Sequence, residues 1–321
     1  MGANTIGVAF ALTTFGESHG VAIGGIVDGC PAGLVIDYDF IITELQRRKT
    51  QNEYGTQRNE EDKVIFLSGL QTLSEERETN PNKVAKQYIT LGTPIGFLIE
   101  NKDVRTDDYA DINNDTRPNH AEFTYFTKYE IRSASGGGRA SARETATRVI
   151  GGAIAKTFLK HFNINIAAEI ETIGSFNYIT QREEVEKLLK EIKANGDTAG
   201  GKICCKIENV PAGVGEPVFE KYSASLAKAM LSIPSVKSFE IGKGIEITKL
   251  KGSENILSDG LQGGISNGKT ITFSTGFKPV SSFNCKGRHD VCQLFRSLVI
   301  VESMAAMVTA DLLLRQRSNR I

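Results

Sequence analysis

The stretch from Leu298 to Leu314 constrains this chain more than any other, because it is apolar almost throughout. Glu302 and Asp311 interrupt it, and Arg296 and Arg315 bracket it. A bilayer span needs about 20 consecutive apolar residues with few or no charges. The segment is too short and too charged for that, so it reads as a helix buried in a folded core.

The rest of the chain offers material to cover such a helix. Helical patterns run over Asp39 to Lys49, Ser141 to Phe162, Arg182 to Ala194, Ser223 to Leu231 and Val291 to Arg317. In the second of these, Val149, Ile150, Ala153, Ile154, Thr157 and Phe158 form a wide apolar face that predicts core packing. β-like runs occur at Gly25 to Val27, Val64 to Leu67, Phe97 to Ile99, Ile164 to Ile170, Ile203 to Ile207, Phe239 to Ile247 and Thr270 to Phe277. Several alternate as half-buried antiparallel strands do. Helices scattered among such strands favour an α+β layered arrangement over a doubly wound parallel sheet. No 20–50-residue repeat and no Pro- or Ser-rich linker divides the chain. The simplest expectation is one domain over residues 1–321, with a polar surface insertion near residues 72–88.

Composition narrows the function classes. Thirty-eight basic residues balance 38 acidic ones, so no whole-protein field draws the chain to nucleic acid or an anionic membrane. An anionic partner must be held locally. Aromatics are 7% with no Trp, which weakens base stacking. The cysteines are Cys30, Cys204, Cys205, Cys285 and Cys292, an odd number with no Cys-x-x-Cys pair, and they read as reduced cytoplasmic thiols. No Lys or Arg precedes Arg47, so the basic start of a signal or transit peptide is missing.

Three segments combine glycine with ionisable residues: Thr13 to Gly20, Gly136 to Thr145, and Lys286 to Asp290. In the middle one, three glycines allow close backbone approach to a ligand, and the helix expected after them points N–H groups and positive dipole at it. Arg139 and Arg143 lie four apart, so on a helix they share a face and both guanidiniums could grip one phosphate or carboxylate. The ordinary alternative is a glycine turn with a solvated first helical turn. Arg47-Arg48-Lys49 with Arg58 could likewise be a solvated helix end.

Gly16-Glu17-Ser18-His19-Gly20 also fits the G-x-S-x-G elbow of a serine hydrolase. That elbow needs a helix directly after it, whereas Val21 to Gly29 is glycine-rich and β-branched. Of the four histidines, His161 reads as a helix C-cap or surface residue. His19, His120 and His289 sit in loop-like sequence and are open to catalytic or plain surface roles. No His or Cys spacing fits a zinc site.

Taken together, the motifs resemble chorismate synthase. Asn4 to Gly7, Thr13 to Gly20, Asp28 to Gly33, Arg117 to Ala121, Gly136 to Thr145, Lys278 to Ser282 and Lys286 to Asp290 follow the family's order nearly end to end. The resemblance implies a layered β-α-β sandwich with helices between two antiparallel sheets, and a homotetramer. It implies anti-1,4-elimination of phosphate from 5-enolpyruvylshikimate 3-phosphate to give chorismate, with reduced FMN as cofactor.

By the same resemblance, Arg48, Arg58, Arg143 and Arg288 match substrate-site arginines. His19 would protonate the departing phosphate, and His120 would supply a proton to the reduced flavin. Asp290, with Ser18 as relay, would take the proton from flavin N5. Flavin contacts carried over are Arg139, Ala140, Ser141, Ser235, Gly263, Lys278, Pro279, Val280, Ser281, Ser282 and Arg288. NADP is a family association, but no dinucleotide-binding glycine pattern follows a strand, which favours an external flavin reductant.

The chain departs from the family pattern in places. Glu53 stands where many members have an Arg, and a carboxylate there is expected to repel substrate. Asn119, Pro234, Ser133 and Ser135 are also atypical, and the loops after Gln262 and between Ser282 and Lys286 are short. These departures motivate a second expectation, a non-catalytic or impaired paralogue that still binds flavin or an anionic ligand. The serine hydrolase is a third.

Overall fold

A computed structural model of the chain describes residues 2–49, 53–55, 61–73, 76–77, 84–85, 87–102, 119–131, 138–255, 259–281 and 290–316. Arg58, Ser282 and Arg288 of the expected site lie outside the described residues, as do Lys286, His289 and Cys285.

The apolar N-terminal run pairs into antiparallel strands, β1 (Thr5–Ile6), β2 (Ala11–Gly16) and β3 (Ala22–Asp28). With β5 (Val64–Phe66) and β10 (Ile95–Glu100) they make a sheet of order β1-β2-β3-β10-β5. A smaller sheet joins β4 (Val35–Asp37), β9 (Gln87–Thr90) and β6 (Leu70–Thr72), and a short pair joins β7 (Glu76–Arg77) to β8 (Val84–Ala85). Both ends of the expected insertion are therefore strands of a sheet.

A second five-stranded antiparallel sheet has the order β12-β11-β13-β17-β14. Its strands are β11 (Asn165–Ile173), β12 (Phe176–Asn177), β13 (Gly201–Glu208), β14 (Val236–Ile241) and β17 (Ile271–Phe277). The β run expected to reach Ile247 stops at Ile241, because Gly242 and Gly244 take positive φ and a 3-10 turn follows over Gly244–Lys249. A hairpin of β15 (Leu261–Gln262) and β16 (Ile265–Ser266) precedes β17.

The helices are α1 (Tyr38–Arg47), α2 (Glu122–Tyr129), α3 (Thr145–Lys160), α4 (Arg182–Ala194), α5 (Tyr222–Leu231) and α6 (Leu294–Gln316). The Asp37 carboxylate caps α1 by accepting from the N–H groups of Asp39 and Phe40. α2 buries none of its residues, so it lacks the one-sided apolar signature that marks core helices in sequence. α3 contacts β2 and β3 of one sheet and β11 of the other, while α6 packs on α3, α5, β11 and β13. At Gly152 a Cβ would stand 2.2 Å from the Ser303 Cβ, so only glycine permits this α3–α6 approach.

α6 extends the apolar stretch of the sequence at both ends, to Leu294–Gln316. Over that length it is, contrary to the expectation, long and apolar enough to cross a membrane by length and composition, yet it lies buried in the protein core. Its two carboxylates are both engaged. Asp311 Oδ1 accepts from the N–H groups of Val8, Ala9 and Phe10 at 2.8, 2.6 and 3.0 Å, which fixes the β1–β2 turn. Glu302 receives both Nη atoms of Arg47 at 2.7 Å, Lys156 Nζ at 2.6 Å and the Ala168 N–H at 3.1 Å. Lys156 also bonds Glu44, which in turn accepts from Arg47 at 2.8 Å. One carboxylate thus joins α6 to α1, α3 and β11.

Burial alone would push the Glu302 carboxyl up, but hydrogen bonds from Arg47 and Lys156 outweigh it and hold it below the usual carboxylate range. Because the folded value lies below the unfolded one, the stabilisation is present above the unfolded value of about 4.3 and is lost as pH falls through the folded value. Glu302→Gln is expected to destabilise the protein by about 3 kcal/mol at pH 7. In denaturant titrations the gap between wild type and variant should shrink below about pH 4; a gap that widens in acid contradicts this assignment.

Candidate active site

β10 runs antiparallel to β3 with Glu100 opposite Ala22, so Asn101, just past the strand, meets the loop that joins β2 to β3. Asn101 donates its backbone N–H to the Val21 carbonyl at 3.0 Å. Its side-chain amide donates to the carbonyls of Glu17 and Gly20 at 2.9 and 2.8 Å. The loop so held carries Ser18 and His19, whose Oγ and Nδ1 lie 2.9 Å apart. Ser18 is fully buried, and its N–H donates to the Gly138 carbonyl at 3.3 Å.

On the other side of Asn101, its Oδ1 accepts from Arg143 Nε at 3.1 Å. Arg143 Nη1 donates to Asp62 Oδ1, and Arg48 Nη2 donates to Asp62 Oδ2 at 2.9 Å. Both arginines are buried, at 6% exposure for Arg48 and 5% for Arg143, so the solvated-helix-end expectation fails for Arg48. Burial would raise the Asp62 carboxyl, but the two guanidiniums prevail and hold it below the usual range. A continuous hydrogen-bonded path therefore runs from Arg48 through Asp62, Arg143 and Asn101 to the His19 loop.

Arg139 and Arg143 do not share a helix face, contrary to the spacing argument. Residues Gly138–Ala140 and Ala142–Glu144 form two 3-10 turns separated by Ser141 in extended conformation, and α3 begins only at Thr145. The break exists because the Ser141 side chain caps the second turn, accepting the Arg143 N–H. Arg139 instead reaches β2, with Nη2 on Thr14 Oγ1 at 2.7 Å and Asn4 Oδ1 at 3.1 Å, and Nη1 on the Gly16 carbonyl at 3.3 Å. It fixes the strand end from which the Ser18–His19 loop springs.

A second cluster gathers at the ends of β14 and β17 and the start of α6. Lys278 donates its backbone N–H to the Ser235 carbonyl at 2.9 Å, and its ammonium bonds Ser281 Oγ. Ser281 donates to the Asn119 carbonyl at 3.0 Å, one residue before His120, and Thr198 Oγ1 donates to the Val280 carbonyl at 2.9 Å. Gln293 Nε2 reaches the Lys278 carbonyl at 3.3 Å. His120 Nδ1 accepts the Glu122 N–H at 3.2 Å, and Asp290 pairs with Arg296 at 3.1 Å. Burial and the neighbouring Lys237 hold the Lys278 ammonium below its ordinary value.

Two links join the clusters. The Tyr54 carbonyl accepts the Val291 N–H at 2.9 Å, tying the segment after Arg48 to the one carrying Asp290. Arg148 of α3 donates to Ser232 Oγ at 2.8 Å and to its carbonyl at 3.1 Å, just before Ser235. Gly263 stands apart at the tip of the β15–β16 hairpin, where the adjacent Gly264 carbonyl accepts the Tyr222 N–H at the start of α5.

Glu53 does not act as the free repelling carboxylate expected from the sequence. Its Oε2 lies 2.6 Å from Lys193 Nζ of α4, on the surface, and that ammonium holds its carboxyl below the usual range. The nucleophile-elbow expectation fails as well, since strand β3, not a helix, follows the Ser18 loop. Asp62 and Asn101 escaped the sequence reading. Asp62 closes an acidic Glu60-Glu61-Asp62 run that looks solvated, and nothing local marks Asn101.

The geometry brings two buried guanidiniums into one hydrogen-bonded path with the His19 loop and sets His120 in a second cluster with Lys278 and Ser281, on loops that layered sheets hold in place. A profile of the family described as chorismate synthase matches residues 10–314. The chain is 44% identical over 371 aligned positions to a chorismate synthase of Christiangramia forsetii, covering all of both chains. It is 43% identical to one of Flavobacterium psychrophilum, over 98% of each. A crystal structure described as chorismate synthase superposes with a TM-score of 0.73 at 28% identity, covering 96% of this chain and 92% of that one. The chain belongs to the chorismate synthase family and has its activity, that of a phosphate-eliminating lyase of the shikimate pathway. The 371 aligned positions exceed the 321 residues of this chain, so that relative carries segments this chain lacks.

Asn101→Ala removes three side-chain hydrogen bonds worth about 1 kcal/mol each. It is expected to lower kcat/KM by at least about tenfold, while the unfolding free energy falls by no more than about 3 kcal/mol. Steady-state kinetics beside a denaturant titration check both; unchanged kcat/KM would show that the His19 loop holds its place without this residue.

Proposed function

We propose that this site binds 5-enolpyruvylshikimate 3-phosphate on Arg48 and Arg143, with Arg58 and Arg288 joining from outside the described residues, and turns it over with reduced FMN. The observation that carries the reading is the buried guanidinium pair wired through Asn101 to the His19 loop. A neutral chain must concentrate cations locally to hold a phosphate and two carboxylates, and charge-assisted hydrogen bonds contribute about 1.5–3 kcal/mol each. That pair also meets the negative charge that grows on the phosphate as its C–O bond breaks. His19, whose Nδ1 meets Ser18 Oγ, gives the departing phosphate a proton in this reading, a task that suits an imidazole.

The residues present fit a flavin mononucleotide. The partly buried Lys278 ammonium beside Lys237, the Ser281 hydroxyl and the Ser235 backbone suit a phosphate, and Arg139, Ala140 and Ser141 offer an edge beside β2. When bound, reduced FMN supplies the electron chemistry of the elimination. His120 Nδ1 accepts the Glu122 N–H, which puts any proton the neutral ring donates on Nε2. Asp290 is the proton acceptor of the second cluster. We assign FMN reduction to an external reductant and the protein to the cytoplasm, which free thiols at Cys30, Cys204, Cys205 and Cys292 suit. α3, in contact with both five-stranded sheets, supports the family's β-α-β layering.

The impaired-paralogue reading loses its main support once Glu53 is paired with Lys193. With FMN kept reduced anaerobically, the protein should release chorismate and phosphate, and His120→Ala should lose about 10²–10⁴-fold in rate. Wild-type turnover no faster than buffer would sink the reading.

A homotetramer fits the first sheet, whose Phe15, Ile26 and Ile65 are exposed although large and apolar. Ile26→Glu should shift the protein to smaller species in sedimentation velocity at micromolar concentration; an unchanged tetramer places the interface elsewhere.

A further inference from the structure

Asp62 is the only acid among the described hydrogen-bond partners of Arg48 and Arg143, and it sits inside what is otherwise a site for anions. Its residue is 3% exposed, and its two oxygens are divided between the two guanidiniums. Its backbone takes φ +52, a left-handed conformation that Asp adopts more readily than most residues. This aims the carboxylate inward between the end of α1 and the 3-10 turn that carries Arg143. A negative group held so deliberately against the charge of the substrate needs a reason.

We propose that Asp62 is a positioning residue for the lyase reaction: its carboxylate sets the spacing of the Arg48 and Arg143 guanidiniums so that the two receive one substrate phosphate. The inference rests on the reading of these arginines as the substrate's anion site. Two buried guanidiniums without a counter-ion repel each other and carry a large desolvation penalty, so they would part or turn outward. With one oxygen engaging a nitrogen of each, the forks stay side by side. Charge-assisted bonds to phosphate are directional, so forks that have separated lose both partners at once.

The alternative role, simple electrostatic opposition, makes the opposite forecast. Were charge all that mattered, neutralising Asp62 would tighten anion binding. Asp62→Asn removes the charge and leaves one acceptor and one NH2 donor, and the donor must face a guanidinium that also donates. Asp62→Glu keeps the charge and displaces the carboxylate by one methylene. Positioning predicts weaker binding in both variants, whereas opposition predicts tighter binding for Asn and little change for Glu.

The test is calorimetric titration of 5-enolpyruvylshikimate 3-phosphate into FMN-loaded enzyme, with circular dichroism to verify folding and with Arg143→Ala measured alongside. Both Asp62 variants should bind at least about tenfold more weakly, with KM rising more than kcat falls. Either folded variant binding as tightly as wild type, or more tightly, overturns the proposal. Should Asp62→Asn fail to fold, Asp62→Glu decides alone. If Arg143→Ala keeps wild-type affinity, the reading of the arginines as the substrate site fails first and takes this inference with it; a loss there with intact Asp62 variants refutes the inference alone.

Discussion

A carboxylate in the middle of the most apolar helix organises this molecule. Glu302 would be an expensive residue in α6 if it stood alone, since an unpaired buried charge costs several kcal/mol. It receives Arg47 from α1, Lys156 from α3 and a backbone N–H from β11, so its need for partners dictates which elements lie against α6. Hydrophobic burial supplies the driving force for packing these helices and sheets, but it is non-directional. The ion cluster adds direction, because bidentate Arg–carboxylate geometry accepts few arrangements.

The consequence reaches the site through one peptide bond. Arg47 turns inward to Glu302, and Arg48, the C-cap of the same helix, turns to Asp62. Adjacent residues at a helix end point in different directions, so fixing the half-exposed Arg47 guanidinium on Glu302 fixes where the buried Arg48 guanidinium lies. The Glu302 network is thus a foundation for the Arg48–Asp62 pair as well as a stabilising contact. The same logic holds at Arg139, whose bonds to Thr14 and Gly16 anchor the strand from which the His19 loop leaves.

Much of the architecture was legible before any coordinates. The apolar faces of α3 and α6 and the strands β11, β13 and β17 follow from periodicity and length, and the motif order names Arg48 and Arg143 together, which the structure joins through Asp62. What was hidden is instructive for physical reasons. The 3.6-residue rule placed Arg139 and Arg143 on one face, but it holds only for an unbroken helix, and Ser141 breaks it with its own hydroxyl. Glu53 was read by its charge, whereas its effect depends on the Lys193 ammonium that α4 brings to it across the fold. Asp62 and Asn101 act only through partners distant in sequence, and no local pattern records such pairings. α2 buries none of its residues, so no buried stripe betrayed it.

A chain with no net charge can nevertheless recognise a strongly anionic molecule, because recognition depends on the local arrangement of cations and not on their total. Free guanidiniums on a surface would be screened by salt and would waste affinity in ordering two flexible side chains. Burying them strengthens their attraction for an anion, yet it also makes the unliganded state unfavourable unless an internal anion stands by. Asp62 meets that condition using one nitrogen from each fork, while Asn101 couples Arg143 to the loop that bears His19. The two buried guanidiniums and the loop that bears the His19 imidazole are therefore joined by one hydrogen-bonded path, so a displacement at either end is felt at the other.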